Sequence, residues 1–204
     1  GLGSKVKLLV VDNKPAYGGD ALRKMVEGDF QARYAVLHSP ESTGAPRDLL
    51  VHLCDTDWIL VVDSHVELEE RVDLKTLVAW CEGNPSKDLH HGICMSSRLT
   101  DPKTNKRVAV WTHWNPIHGR DGLFGTSAMA QLLVDNPRHP AMRIVISGCG
   151  LFLTRKDSFI GFHPEQTGFG AEGWLPLRYY EEGRSVWVEP WLRFFHCFRP
   201  KTIK

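Results

Sequence analysis

The sequence predicts an α/β fold with a mostly parallel central sheet and helices on both faces. Three observations predict it. Short apolar runs alternate with segments of helical spacing along the first half of the chain. Two of those runs, in Lys5–Asn13 and Trp58–Asp63, have the continuous apolar character of strands buried on both sides. With 204 residues, 42% of them hydrophobic, the chain can bury one substantial core, so 1–204 reads as a single domain.

The elements follow in order. "KVKLLVVDN" (5–13) is a strand that ends in polar residues. "GDALRKMVEG" has helical spacing, with Leu22, Met25 and Val26 on one side. "ARYAVLHS" is a second strand, and "PRDLLVHLC" a helix with Leu49, Leu50 and Leu53 inward. "WILVVD" is the third strand, and "DLKTLVAWCEG" a helix that stops at Gly83. Beyond residue 90, "HGICMSSRL" and "RVAVWTHW" read as strands joined by the turn-rich "TDPKTNK". Residues 115–142, interrupted by Pro and Gly, read as a long, partly mobile loop. "MRIVISGCGLFLTRKDSF" gives strand, glycine turn and strand; "EGWLPLRYYEEG" is helical; "SVWVEPWLRFFHCF" returns to strand.

Bulk properties remove several function classes. A formal net charge of +1 supplies no global field for nucleic acid. No apolar run is long enough to span a bilayer and no secretory signal is visible, so a cytoplasmic location is expected, host cytoplasm if the protein is viral. Cys54, Cys81, Cys94, Cys149 and Cys197 are odd in number and lack CxxC spacing, which argues against a zinc ribbon or a disulfide framework and for reduced thiols.

Ligands of open parallel sheets bind beyond the carboxyl ends of the strands. Two strands here end in polar groups, at Asp12-Asn13 and at Asp63-Ser64-His65. Asp12 reads equally as a turn former or a ligand-facing acid. Asp63 and His65, two positions apart, are expected on one side of the strand, where they form a clamp for a divalent ion. A carboxylate with an imidazole suits Mn2+ better than Mg2+, which prefers oxygen alone. The chain has no GxxxxGK[ST] and no GxGxxG after the first strand, so phosphates would need a metal and cationic side chains.

"WILVVDSHVEL" resembles the metal-binding segment of the polypeptide N-acetylgalactosaminyltransferases, whose Asp-x-Asp motif is Asp-Ser-His. "STGAPRDLLVHLCDTDWILVVDSH" is similar to that family's Gly-x-x-Arg helix and following strand. Residues 147–199 resemble its Gly-Gly-Leu-Phe strand, its Trp-Gly-Gly-Glu-Asn turn and helix, and its closing Gly-His-x-Phe-Arg. The blocks keep their order over most of 5–199, with 90–140 unmatched. The resemblance implies the GT-A fold of sugar-nucleotide transferases.

It also implies roles. Asp63, His65 and His196 would hold the metal, Mn2+ or Mg2+, that bridges the diphosphate of a nucleotide sugar. Asp12, Asn13, Arg47, Ser64, Gly148, Gly150 and Phe169 would line the donor site, with Phe169 in place of the family's Trp. Arg199 would meet the leaving diphosphate, and Glu172 would face the donor sugar or take the acceptor proton. For Arg47 a solvated helix charge is the competing reading, and for Glu172 an acid of a first helical turn.

Three departures stand out. Asn13 replaces the acid that in the family recognises uracil, and Gly173 replaces an Asn. The family also carries a strand and a helix ahead of the strand at 5–12, so the domain is expected to be shortened at its N-terminus.

The expected activity is metal-dependent transfer of a sugar, from a donor expected to be UDP-linked, to an acceptor hydroxyl on a peptide, a saccharide or a hydroxymethylated base of phage DNA. For DNA, Arg98, Lys103, Lys106, Arg107, Arg120 and Arg138 are the cations available to phosphates; ordinary solvated surface is the other reading of them. The alternatives are a non-catalytic nucleotide-sugar-binding module and a metal-dependent phosphoesterase. The last lacks the second acid cluster of two-metal hydrolysis.

Overall fold

Two sheets carry the fold. A computed structural model describes residues 5–15, 18–38, 42–70, 72–100, 107–111, 135–136, 138–145, 147–163 and 170–196; the side chains of 96–100, 107–111 and 170–172 lie outside that description. The smaller sheet pairs β1 (Leu9–Asp12) with β2 (Arg33–Val36) in parallel, Val10 opposite Tyr34. Between them run a short helix, α1 (Gly19–Lys24), and a π-turn, Met25–Asp29. Of the three residues expected to face inward here, Val26 is buried, Leu22 half-buried and Met25 exposed.

The larger sheet has seven strands. Its main path is β3 (Trp58–Val62), β8 (Leu151–Arg155), β5 (Leu89–Thr100), β9 (Val186–His196) and β4 (Val66–Leu68). β6 (Arg107–Trp111) pairs with β5, and β7 (Met142–Arg143) with β9. The mixed α/β class is as expected, but the mostly parallel sheet is not. Among the described residues of the larger sheet only β5 and β9 pair in parallel; β3–β8, β5–β8, β5–β6, β4–β9 and β7–β9 are antiparallel. The regular strand–helix alternation that implies parallel crossovers stops near residue 90; β6, β7 and β8 then run opposite to β5, while β9 runs with it.

Helices α2 (Ala45–Leu53), α3 (Leu74–Gly83) and α4 (Gly170–Glu181) complete the layers. The Ser42 hydroxyl accepts the Ala45 N–H (3.0 Å), and the Asp73 carboxylate caps α3 by accepting the Lys75 N–H (3.2 Å). The inward residues of α2 are Arg47 and Val51, one turn apart, while Leu49, Leu50 and Leu53 are half-buried flanks. The expected leucine face is therefore displaced by a buried arginine.

The core lies on the large sheet. Leu89, Ile93, Phe152, Leu175, Tyr179, Val186 and Val188 are buried there, and Leu151, Leu192 and Phe194 fill a second cluster with Cys94. Gly92 opens a bulge between β5 and β9: a Cβ there would lie 2.5 Å from the Leu192 carbonyl oxygen. Cys54, Cys81 and Cys94 are free thiols. Burial pushes Cys94 up to about 12 and Cys81 to about 11, so these two are inert rather than nucleophilic. Among the described residues no helix is long and apolar enough to cross a membrane.

Candidate functional site

β3 ends at Val62, and the next four residues build a turn. Asp63 donates its N–H to the Gly150 carbonyl (2.9 Å), and its own carbonyl accepts the Val66 N–H (3.0 Å). The chain then enters β4, which pairs antiparallel with the end of β9 so that Val66 lies opposite His196. This pairing carries His65 onto His196. Asp63 and His65 thus share a side through a turn and a short strand, not through the alternation of one strand, which is the correction to the sequence reading. β4 itself is the element missed: three residues, Val66–Leu68, are too few to show a period.

The result is a three-sided donor cluster. One ligand atom each from Asp63, His65 and His196 lies within 4.8 Å of the others. The two Nε2 atoms are 3.0 Å apart and the rings are edge to face at 88°. Two ligands at right angles around an ion with bonds of about 2.1 Å stand about 3 Å apart, so the imidazole spacing fits a shared cation. Burial, then the neighbouring His65, pushes His196 down to about 4, with Asp63 opposing. Its imidazole is therefore neutral, with a lone pair available, across the ordinary pH range. Gly150 supplies the room: a Cβ there would stand 3.3 Å from His196 Cδ2 and 3.7 Å from Asp63 Oδ2. One carboxylate and two imidazoles form a donor set for a first-row divalent cation rather than for Ca2+.

Arg47 completes the arrangement from α2. Its Nη2 donates to both Asp63 carboxylate oxygens (2.7 and 2.9 Å), and its Nη1 to the Thr43 carbonyl (2.6 Å). Only 11% of its side chain is exposed, against 23% for Asp63, so it is not a solvated helix charge. It orients Asp63 and balances its charge, a role without a local sequence signal, since the partners are 16 residues apart.

The other proposed site residues divide. Asp12, Asn13 and Ser64 border one large cleft, at the carboxyl ends of β1 and β3. Asp12 accepts from the Tyr34 hydroxyl (2.6 Å) and the Lys14 N–H (2.8 Å), so its carboxylate fastens the turn and holds the phenol. Gly148 is buried in the loop before β8. Glu172 lies in the first turn of α4, its side chain outside the description; Phe169 and Arg199 lie outside the described residues. So do Lys103, Lys106, Arg120 and the loop expected at 115–142 up to residue 134, whereas Arg138 is exposed.

No family model matches the chain, and no curated protein matches it in sequence. Among solved structures it is similar to the crystal structure of GalNAc-T7 with UDP, GalNAc and Mn2+, with a TM-score of 0.65 at 12% identity. The match covers 96% of this chain and 38% of the other, so the chain spans well under half the length of the structure it matches. At that identity the likeness speaks for the fold: the chain has a GT-A-like α/β architecture, similar to that of a glycosyltransferase.

Proposed function

We propose that the protein is a metal-dependent glycosyltransferase that moves a sugar from a nucleotide sugar, UDP-linked, to an acceptor hydroxyl. The observation that carries this reading is the convergence of Asp63, His65 and His196 at the carboxyl end of β3, on a GT-A-like scaffold. Mn2+ is the cation best suited to one carboxylate and two imidazoles, and the similar structure was solved with UDP and Mn2+. Bound there, it would supply positive charge to the departing diphosphate.

The chain's own residues do the rest. Arg47 holds the Asp63 carboxylate in place, and Gly150 keeps the space in front of His196 open. Asp12, Asn13 and Ser64 offer polar atoms to the nucleoside at the mouth of the cleft. Arg199 offers a guanidinium fork to the leaving diphosphate. Glu172, at the start of α4, orients the donor sugar or takes the acceptor proton.

The test is a donor screen. Thermal shift with Mn2+ and each common nucleotide sugar should single out UDP sugars, and calorimetry should rank UDP above GDP and CMP. Tighter binding of GDP overturns the UDP assignment. Glu172→Gln should keep UDP affinity and lower turnover on the order of a hundredfold. Donor binding with no hydrolysis or transfer on any acceptor would instead favour a non-catalytic nucleotide-sugar module.

A further inference from the structure

Helix α4 is apolar on both faces. Leu175 and Tyr179, one turn apart, are fully buried in the core. On the outer side Trp174 is only half-buried and Leu177 is 50% exposed. A helix laid on a sheet needs apolar residues on its inner stripe alone, so the outer pair calls for a further partner.

The outer stripe is not bare hydrocarbon. Arg178 and Glu181 follow Trp174 and Leu177 at helical spacing. The Arg178 guanidinium stands over the Trp174 ring, 5.8 Å from its centroid, and donates to the Glu181 carboxylate. His163 meets the same ring edge to face at 5.0 Å. A Cβ added to Gly173, beside Trp174, would meet nothing within 4 Å, so space is open there. One indole plate is thus ringed by a cation, an anion and an imidazole.

This plate continues the wall of the metal cluster. Arg47 holds Asp63, and its guanidinium carbon lies 6.0 Å from the centroid of the Phe162 ring. The Asp48 carboxylate accepts the Phe162 N–H (3.0 Å), and a Cβ on Gly44 would stand 2.7 Å from the Phe162 Cβ. α2 therefore fixes Phe162, and the next residue is His163, against Trp174. Glu172 lies two residues ahead of Trp174, in the first turn of the same helix. Arg47, Phe162 and His163 all stand between Asp63 and Trp174, so a ring stacked on the indole is not the ring that reacts at the cluster.

The chemistry selects the ligand class. An indole face packs against the C–H face of a pyranose, and a paired guanidinium and carboxylate meet its hydroxyls as donor and acceptor. Two apolar side chains are too few for a protein interface of about 800 Å2 per partner. A nucleic acid would bring phosphates against Glu181. We propose that Trp174, Arg178 and Glu181 form an acceptor subsite for a saccharide of more than one ring, holding a ring at least one unit away from the hydroxyl that receives the transferred sugar. The inference rests on the glycosyltransferase reading and names its acceptor class.

The experiment uses the whole chain with Mn2+ and UDP. Neutral oligosaccharides of glucose, galactose, xylose or N-acetylglucosamine, each from one to four rings, are titrated against protein labelled with 15N in its indoles. The Trp174 signal is assigned through Trp174→Phe. At least one saccharide of two or more rings should shift that signal and saturate, and its monosaccharide should bind about tenfold or more weakly. Trp174→Ala and, separately, Arg178→Ala should each weaken the binding about tenfold or more, with UDP affinity by calorimetry within about twofold of the unmodified chain. Arg178 is 37% exposed, so its variant keeps the fold if Trp174→Ala does not. In transfer assays the loss should fall on the acceptor KM and not on kcat. If no oligosaccharide shifts the Trp174 signal, the proposal falls, and UDP binding in the same sample says whether the glycosyltransferase reading falls with it. Equal affinity for one ring and for several overturns it as well. So does transfer to a peptide or to DNA at a KM that neither variant changes.

Discussion

The tetrapeptide Leu-Val-Val-Asp occurs twice, at 9–12 and at 60–63, and meets two different fates. In β1 it is half-buried throughout, in a two-stranded sheet. In β3 it has Val61 at 2% exposure, against the buried Phe152 of the seven-stranded sheet. Asp12 ends in a turn with a phenol on it; Asp63 ends beside two imidazoles and a buried guanidinium. Identical local chemistry therefore acquires a core, and a candidate metal site, only where strands from the far end of the chain arrive. A two-stranded sheet has no second neighbour to bury it and is marginal by itself.

The contrast can be broken by mutation, most strongly in the core. Phe152, opposite Val61, is 1% exposed, so Phe152→Ala should cost about 3–5 kcal/mol in chemical denaturation. Leu9→Ala, in the half-buried strand, should cost under about 1 kcal/mol. Equal costs would mean that the two sheets share one core.

The acids come next. Asp63→Asn should weaken Mn2+ binding on the order of a hundredfold by calorimetry, since even supporting partners of metal ligands cost about 10–100-fold. Asp12→Asn should change it less than about twofold, because Asp12 faces Tyr34 and not the cluster. A comparable loss from both would place the ion elsewhere. Gly150→Ala is a smaller perturbation: the new methyl crowds His196 at 3.3 Å, and Mn2+ affinity should fall about tenfold with the fold retained.

The smallest effect sharpens the β1 side. Desolvation, then the hydrogen bond to Asp12, pushes the Tyr34 phenol up to about 12. The folded state thus favours the neutral phenol. That contribution to stability is whole below the unfolded value of 10.0 and is lost as pH rises from there towards 12. Tyr34→Phe should flatten the alkaline decline in stability over that interval. In ultraviolet titration, Asp12→Asn should move the Tyr34 signal part of the way back, since desolvation remains. A Tyr34 signal that does not move at all would show that Asp12 is not its partner in solution.

Much of this was legible in order along the chain. Lys5–Asn13 and Trp58–Val62 announce themselves as apolar runs with β-branched residues, Arg33–Val36 as a short strand-like segment, and α3 by its spacing and its stop at Gly83. Asp63 and His65 stood out as metal-ligating types at a strand end, and His196 through a resemblance of motif. β4 was not legible, because three residues carry no period, and neither was Arg47 on Asp63, because no local rule links α2 to the end of β3.

The sequence by itself determined the mixed class, most strands and helices, and the residue types at the strand ends, since these depend on spacing and side-chain chemistry within a few residues. Only the tertiary structure decided strand direction, which of two identical tetrapeptides places a valine in the core, and how His65 meets His196. Those depend on β8 and β9, which lie about 90 to 135 residues further along the chain than β3. Pairing over such separations is set by the sheet as a whole, because each strand's backbone groups and apolar faces are satisfied only by neighbours that local sequence does not name.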